Sequence, residues 1–162
     1  MRNSLLLLKK LTFLSDKRRL ELFPPFFLMR AKVLTISDDW SSLRIRLPLN
    51  WASANAAGNM YGGYQASLAD PVPALACLKK FPGYRVATKK LELHFIRIGN
   101  SHLTLHFDFD ETLEQTIRQD LETHGRSTPC FKMQYIRDDG KVCTEIKNCV
   151  AIRPQGYLSH HE

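Results

Sequence analysis

The stretch from Tyr64 to Leu78 is apolar nearly all round, and it stands between segments whose apolar residues recur at every second position. A helix that faces water on one side carries a polar stripe there. A helix without that stripe has to be covered on several sides, and a β-sheet wrapped around it does so. Gly62-Gly63 opens the segment. Lys79-Lys80 closes it, where positive charge suits a helix C-terminus, and Pro82-Gly83 follows.

The flanking stretches predict strands. Val33 to Ile36 is one, and Leu43, Ile45 and Leu47, alternating with Arg44 and Arg46, form a second; Ser37 to Ser42 carries turn residues between them. Val86, Leu91, Leu93, Phe95 and Arg97 mark a third strand on one face or its neighbour, and Leu103, Leu105, Phe107 and Phe109 a fourth. Cys130 to Arg137 and Val142 to Ile152 give two more, joined by the hairpin signal Asp138-Asp139-Gly140. Glu111 to His124 has helical period and ends at Gly125. Ahead of all these, Asp16 to Phe23 predicts a short helix capped by Ser15 or Asp16 and stopped by Pro24-Pro25, with the apolar cluster Phe26 to Met29 after it. The order predicts an α+β fold, an antiparallel β-sheet wrapped around a long central α-helix. Residues 1–23 are expected as a helical extension, 24–155 as the main domain and 156–162 as a frayed tail. Within the extension, Lys9-Lys10 cut the leucine run of Met1 to Leu14 short of a signal sequence or a membrane span. An amphipathic helix docked on protein is the expectation there, ahead of a membrane surface.

The net charge of +7 favours an anionic partner: nucleic acid, anionic membrane or coenzyme A. No aromatic-basic motif supports nucleic acid, which ranks last. Cys77, Cys130, Cys143 and Cys149 show no CxxC spacing, so buried thiols in a reducing, cytoplasmic setting are expected. His94, His102 and His106 lack a matched third ligand for zinc, and no metal is expected. Ser67 sits in no nucleophile elbow, and the run from Gly58 to Gly63 lacks the ending of a phosphate loop. Trp40 and Trp51 are expected as core or lid residues.

Several blocks taken together resemble a known family: PPFFL near the start, Asp39-Trp40 before LRIRLPLNW, the spacing Asn55, Gly58, Gly62-Gly63, then Asp70-Pro71, the block FIRIGNSHLTLHFDFD, and DDGKVCTEIKNCVAIR. From about Phe23 to Arg153 the chain resembles the thioesterase-like hotdog domains of unknown function related to the phenylacetate-degradation type acyl-CoA thioesterases. The resemblance implies hydrolysis of an acyl thioester of coenzyme A or an acyl carrier. It implies Asp70 as base or nucleophile, Asn55 as a positioning group, and the Gly63 N–H as the donor that polarises the thioester carbonyl. It places Tyr61 and Gly62 against the substrate. Coenzyme A phosphates would meet the cluster Lys79, Lys80, Arg85, Lys89 and Lys90, with Arg97 and Arg126 as further candidates. It implies no cofactor beyond the coenzyme A of the substrate, and a homodimer or homotetramer with sites between subunits. The chain departs from the thioesterase pattern at Tyr61, where the relatives carry histidine, and Pro71 directly after Asp70, with Pro73 soon after, predicts a kink that frees the carbonyls of Ser67 and Ala69. A structural role for Asp70 in that kink, and a non-catalytic protein that binds a fatty acyl ligand, are the alternative readings.

Overall fold

The computed structural model describes residues 14–157; the readings for Met1 to Phe13 and for the last five residues lie outside the described residues. The element order is α1 (Asp16–Glu21), α2 (Pro24–Leu28), β1 (Lys32–Ile36), β2 (Ser42–Leu47), α3 (Gly62–Ala69), α4 (Pro71–Lys80), β3 (Tyr84–Phe95), β4 (Leu103–Asp108), α5 (Glu111–His124), β5 (Cys130–Arg137) and β6 (Val142–Pro154). The strands form one antiparallel sheet in the order β1-β2-β4-β5-β6-β3.

Alternation decides which face each strand buries. Leu43, Ile45 and Leu47 of β2, Leu103, Leu105 and Phe107 of β4, and Phe131, Met133 and Tyr135 of β5 are all buried. Thr144, Ile146, Asn148, Val150 and Ile152 of β6 continue that row. Phe107, Phe109 and Phe131 stack edge to face or tilted, with ring centres 4.9 to 6.1 Å apart. The alternate residues, among them Arg44, His106, Lys132 and Glu145, lie on the outer face.

The third strand needs a correction of phase. Val86 and Leu91 have opposite parity, yet both pack on the core. A β-bulge between Thr88 and Lys90 inserts the extra residue that brings them to the same face.

The central segment is two helices rather than one long one. α3 ends at Ala69 and α4 begins at Pro71, while Asp70 between them keeps helical dihedrals (φ −56°, ψ −55°). Pro71 and Pro73 have no N–H to give, so the regular bonds to Ser67 and Ala69 cannot form. The backbone therefore stays helical at Asp70 with its hydrogen-bond ladder interrupted. α4 packs on β3 and β6.

At the edges the two ends of the sheet differ. On β1, Glu21 of α1 accepts the Val33 N–H at 3.1 Å, and the Trp40 indole N–H donates to Asp16 at 2.8 Å. Trp40 is a core residue, whereas Trp51 is 84% exposed. On β3 the pairing is with β6 alone, and the other side of this twelve-residue strand has no strand beside it among the described residues.

The cysteine expectation is corrected in part. Cys77 and Cys143 are buried free thiols. Cys130 and Cys149 face each other directly across β5 and β6 and form a disulfide, a bond associated with oxidising compartments. Sequence spacing hides this pair, because only the strand register brings residues 19 apart together.

Candidate functional site

The helix start is built by the loop before it. Ser53 is fully buried and its carbonyl accepts the Tyr61 N–H at 2.8 Å, while the Met60 N–H donates to Gly99 at 2.8 Å. These bonds hold Tyr61 as the N-cap of α3, with no side-chain cap. The Tyr64 and Gln65 N–H groups donate to the Tyr61 carbonyl. The N–H groups of Gly62 and Gly63 have no acceptor among the described residues. They are the donors a helix N-terminus leaves over, with the partial positive charge of the helix dipole behind them.

Both glycines are tightly covered. A Cβ at Gly62 would lie 2.9 Å from the tip of the Phe95 ring, and one at Gly63 would collide with the Tyr61 ring. Tyr61 and Phe95 are themselves about half exposed. Their rings form an apolar rim over the helix start. Tyr61, Gly62 and Gly63 stand together at the start of α3.

Asp70 lies at the break between α3 and α4. It is half-buried, and its carboxylate makes no hydrogen bond or ion pair among the described residues. Its backbone carbonyl is well held: the Asn148 amide donates to it at 2.9 Å and the Thr88 hydroxyl at 3.2 Å. The same Asn148 amide donates to Ala69 at 3.2 Å, one of the carbonyls the prolines free. The sequence reading predicts the freed carbonyls but not their partner. Asn148 and Thr144 were detectable as polar residues on the apolar phase of β6, a pattern that marks buried polar work.

Two further buried contacts fix α3. The Thr144 hydroxyl donates to the Gln65 side-chain oxygen at 2.6 Å, and the Tyr135 hydroxyl donates to the Gln65 carbonyl at 2.8 Å. Burial pushes the Tyr135 hydroxyl well above its usual range, so it remains a donor.

Other predicted residues are dispersed. Asn55 is exposed, and its Oδ1 accepts from the Ala57 and Asn59 N–H groups at 2.9 and 3.1 Å, closing its own loop. The basic cluster is largely spoken for. Lys79 pairs with Asp16 at 3.0 Å, Lys80 with Asp39 and Glu114 at 3.1 and 2.7 Å, and Lys90 with Glu92 at 2.6 Å. Arg85 donates to Tyr157 and Arg97 to Val142. Lys89, in the bulge, is exposed and makes no ion pair among the described residues. The His102 ring accepts the Leu49 N–H at 2.9 Å, and His106 lies on the outer face. A groove of about 800 Å³ opens on that face, lined by Glu92, His94, His106, Asp108, Lys132 and Lys147 among others. Asp70 does not line it. Among the described residues no cluster of His, Cys, Asp or Glu could hold a metal ion, and no helix is long and apolar enough to cross a membrane.

No family model and no curated protein matches the sequence. Solved structures do match. A Pseudomonas aeruginosa protein of unknown function, described as a probable thioesterase, superposes with a TM-score of 0.75 at 17% identity over 86% of this chain and 93% of its own. The chain has the hotdog fold of such thioesterases. A Chlorobaculum tepidum protein of unknown function superposes with a TM-score of 0.72 at 14% identity, over 92% of this chain and 95% of its own. A Staphylococcus aureus thioesterase, solved with alanine at a glutamine and, separately, at a glutamate, gives 0.63 at 14% identity over 79% and 97%. These likenesses are of fold.

Proposed function

We propose that this protein hydrolyses an acyl thioester, carried by coenzyme A or by an acyl carrier, with Asp70 acting on water. The observation that carries the reading is a pairing within this fold: unengaged N–H groups at the start of α3, and an unpartnered carboxylate at its end. Asp70 takes a proton from water as the water oxygen bonds to the acyl carbon. The charge that develops on the thioester oxygen is met by the Gly63 N–H, a contribution of roughly 3 kcal/mol for one well-aimed donor. The C–S bond then breaks, and the thiolate recovers the proton.

Geometry supports a site shared by two copies. Asp70 follows Gly63 by seven positions, which returns it to the same face after an advance of roughly 10 Å. One thioester carbon cannot lie about 3 Å from both in a single chain. Gly63 and Asn55 of one protomer would act with Asp70 of its partner. The uncovered edge of β3 supports a partner on that side, since Glu21 takes a β1 edge N–H. The two residues replaced by alanine in the Staphylococcus aureus structures are fifteen positions apart, the separation of Asn55 and Asp70 here.

The test is thiol release over a panel of acetyl-, hexanoyl- and palmitoyl-CoA. Asp70→Asn is expected to lower turnover by about 10²-fold or more. Unchanged turnover in that variant sinks the role of Asp70. A monomer by light scattering counts against the shared site. The Tyr61 ring over Gly63 favours one other reading, a binding protein for fatty acyl ligands; copurified lipid with no turnover on any substrate would select it.

A further inference from the structure

We infer that Asn148 and Thr88 are positioning residues for Asp70, a clamp that holds the proline-broken turn between α3 and α4 in its helical course. The inference rests on the thioesterase reading for its catalytic consequence, though not for the clamp itself. Three observations carry it. Pro71 and Pro73 remove two regular helix bonds that span Asp70. The backbone there would be free to bend, yet Asp70 keeps helical dihedrals. Bonds from outside the helix meet one of the two freed carbonyls, that of Ala69, and the Asp70 carbonyl next to it. Asn148 of β6 spans the Ala69 and Asp70 carbonyls, and Thr88 of β3 reaches the Asp70 carbonyl from the other strand.

Asn148 is held at an energetic disadvantage. It is fully buried, and its Oδ1 is an acceptor with no donor among the described residues. The amide cannot simply turn over to mend this, because its NH2 group is the only part that can serve the two carbonyls. A buried acceptor left unsatisfied works against stability, and such groups concentrate where position is needed more than stability. Thr88 depends on the same design. It faces α4 immediately before the bulge that shifts the phase of β3. The bulge thus lets one strand present both Thr88 and, beyond it, Leu91 to the helices. Asp70 is fixed through its main chain, which leaves the carboxylate itself unengaged.

The test uses the full chain, with Thr88→Val, Thr88→Ser, Asn148→Ala and Asp70→Asn measured beside wild type on the same acyl-CoA panel. Thr88→Val removes one hydroxyl at nearly constant volume, so it guards against an Asn148 variant that does not fold. Thr88→Val is expected to lower kcat roughly fivefold with KM unchanged, and Thr88→Ser to restore it; a lost neutral hydrogen bond accounts for a factor of this size. A purely structural role would lower the melting temperature without this split. Equal kcat in wild type and folded Thr88→Val overturns the clamp. The ¹³C-carboxyl resonance of Asp70 supplies a reading independent of activity. It is expected to move in Thr88→Val and return in Thr88→Ser. If wild type turns over no substrate, the thioesterase reading fails, and the resonance alone decides: a shift supports the clamp, and an unchanged resonance overturns it.

Discussion

Reducing the Cys130–Cys149 disulfide should lower the stability of the fold by about 3 kcal/mol. The bond joins residues 19 apart in sequence. Closing a loop of that length removes chain entropy from the unfolded state worth about 3 kcal/mol at room temperature. The strands on either side remain paired through their ladder, so the folded state has little to lose beyond the bridge itself. For a chain of this size, each kcal/mol moves the melting temperature by about 2–4 °C, so the expected fall is roughly 6–12 °C. Thermal unfolding of oxidised and reduced protein measures it, alongside a Cys130→Ala, Cys149→Ala double variant without reductant. Thiol titration controls the comparison. In the oxidised protein, unfolding should expose the two free thiols of Cys77 and Cys143. Before unfolding, Cys77 should be inert, because burial pushes its thiol up to about 12. Reduced and oxidised proteins melting at the same temperature, with two further thiols titrating after reduction, would refute the reasoning.

The remaining predictions concern the site and its supports. Gly63→Ala should fold and lose thiol release, since the new Cβ meets the Tyr61 ring, which is half-exposed and can swing aside into the approach to the helix start; circular dichroism with the turnover assay separates the two effects. Tyr135→Phe removes the hydroxyl that holds the Gln65 carbonyl and should destabilise by about 1 kcal/mol in denaturant unfolding. Acid should weaken the fold through Glu114. Burial acts to raise its carboxyl, but hydrogen bonds from Lys80 and Arg118 outweigh this and hold it below its usual value of 4.5. The folded state then binds fewer protons than the unfolded one. That stability is complete above about pH 4.5 and drains away as pH falls through the lower folded value. Lys80→Met should flatten the fall in melting temperature between about pH 5 and pH 3.

Local pattern carried most of the architecture. Period-two stretches located all six strands, and Gly125, in the left-handed conformation (φ 68°), ends α5 where the sequence places the stop. The helix start at Gly62-Gly63 and the break at Pro71 were equally legible, because glycine and proline act on the backbone where they stand. The bulge in β3 was visible only as a clash of parity between Val86 and Leu91. Resolving it required β6 as the partner strand.

What depended on contacts between distant residues could be decided only by the tertiary structure. Lys79 and Lys80 read as part of a basic cluster, and the fold brings acids from three other places to them: Asp16, Asp39 and Glu114. Cys130 and Cys149 read as separate thiols until strand register set them opposite one another. Asp70 shows the division most clearly. Its sequence neighbours determine that the helix breaks there, because two prolines withhold their N–H groups. Asn148 and Thr88, from two other strands, hold the carbonyls at that break, where Asp70 keeps helical dihedrals. A covalent feature such as the proline ring acts over a few residues, whereas a hydrogen bond from residue 148 to residue 70 exists only after β6 has packed against the helices.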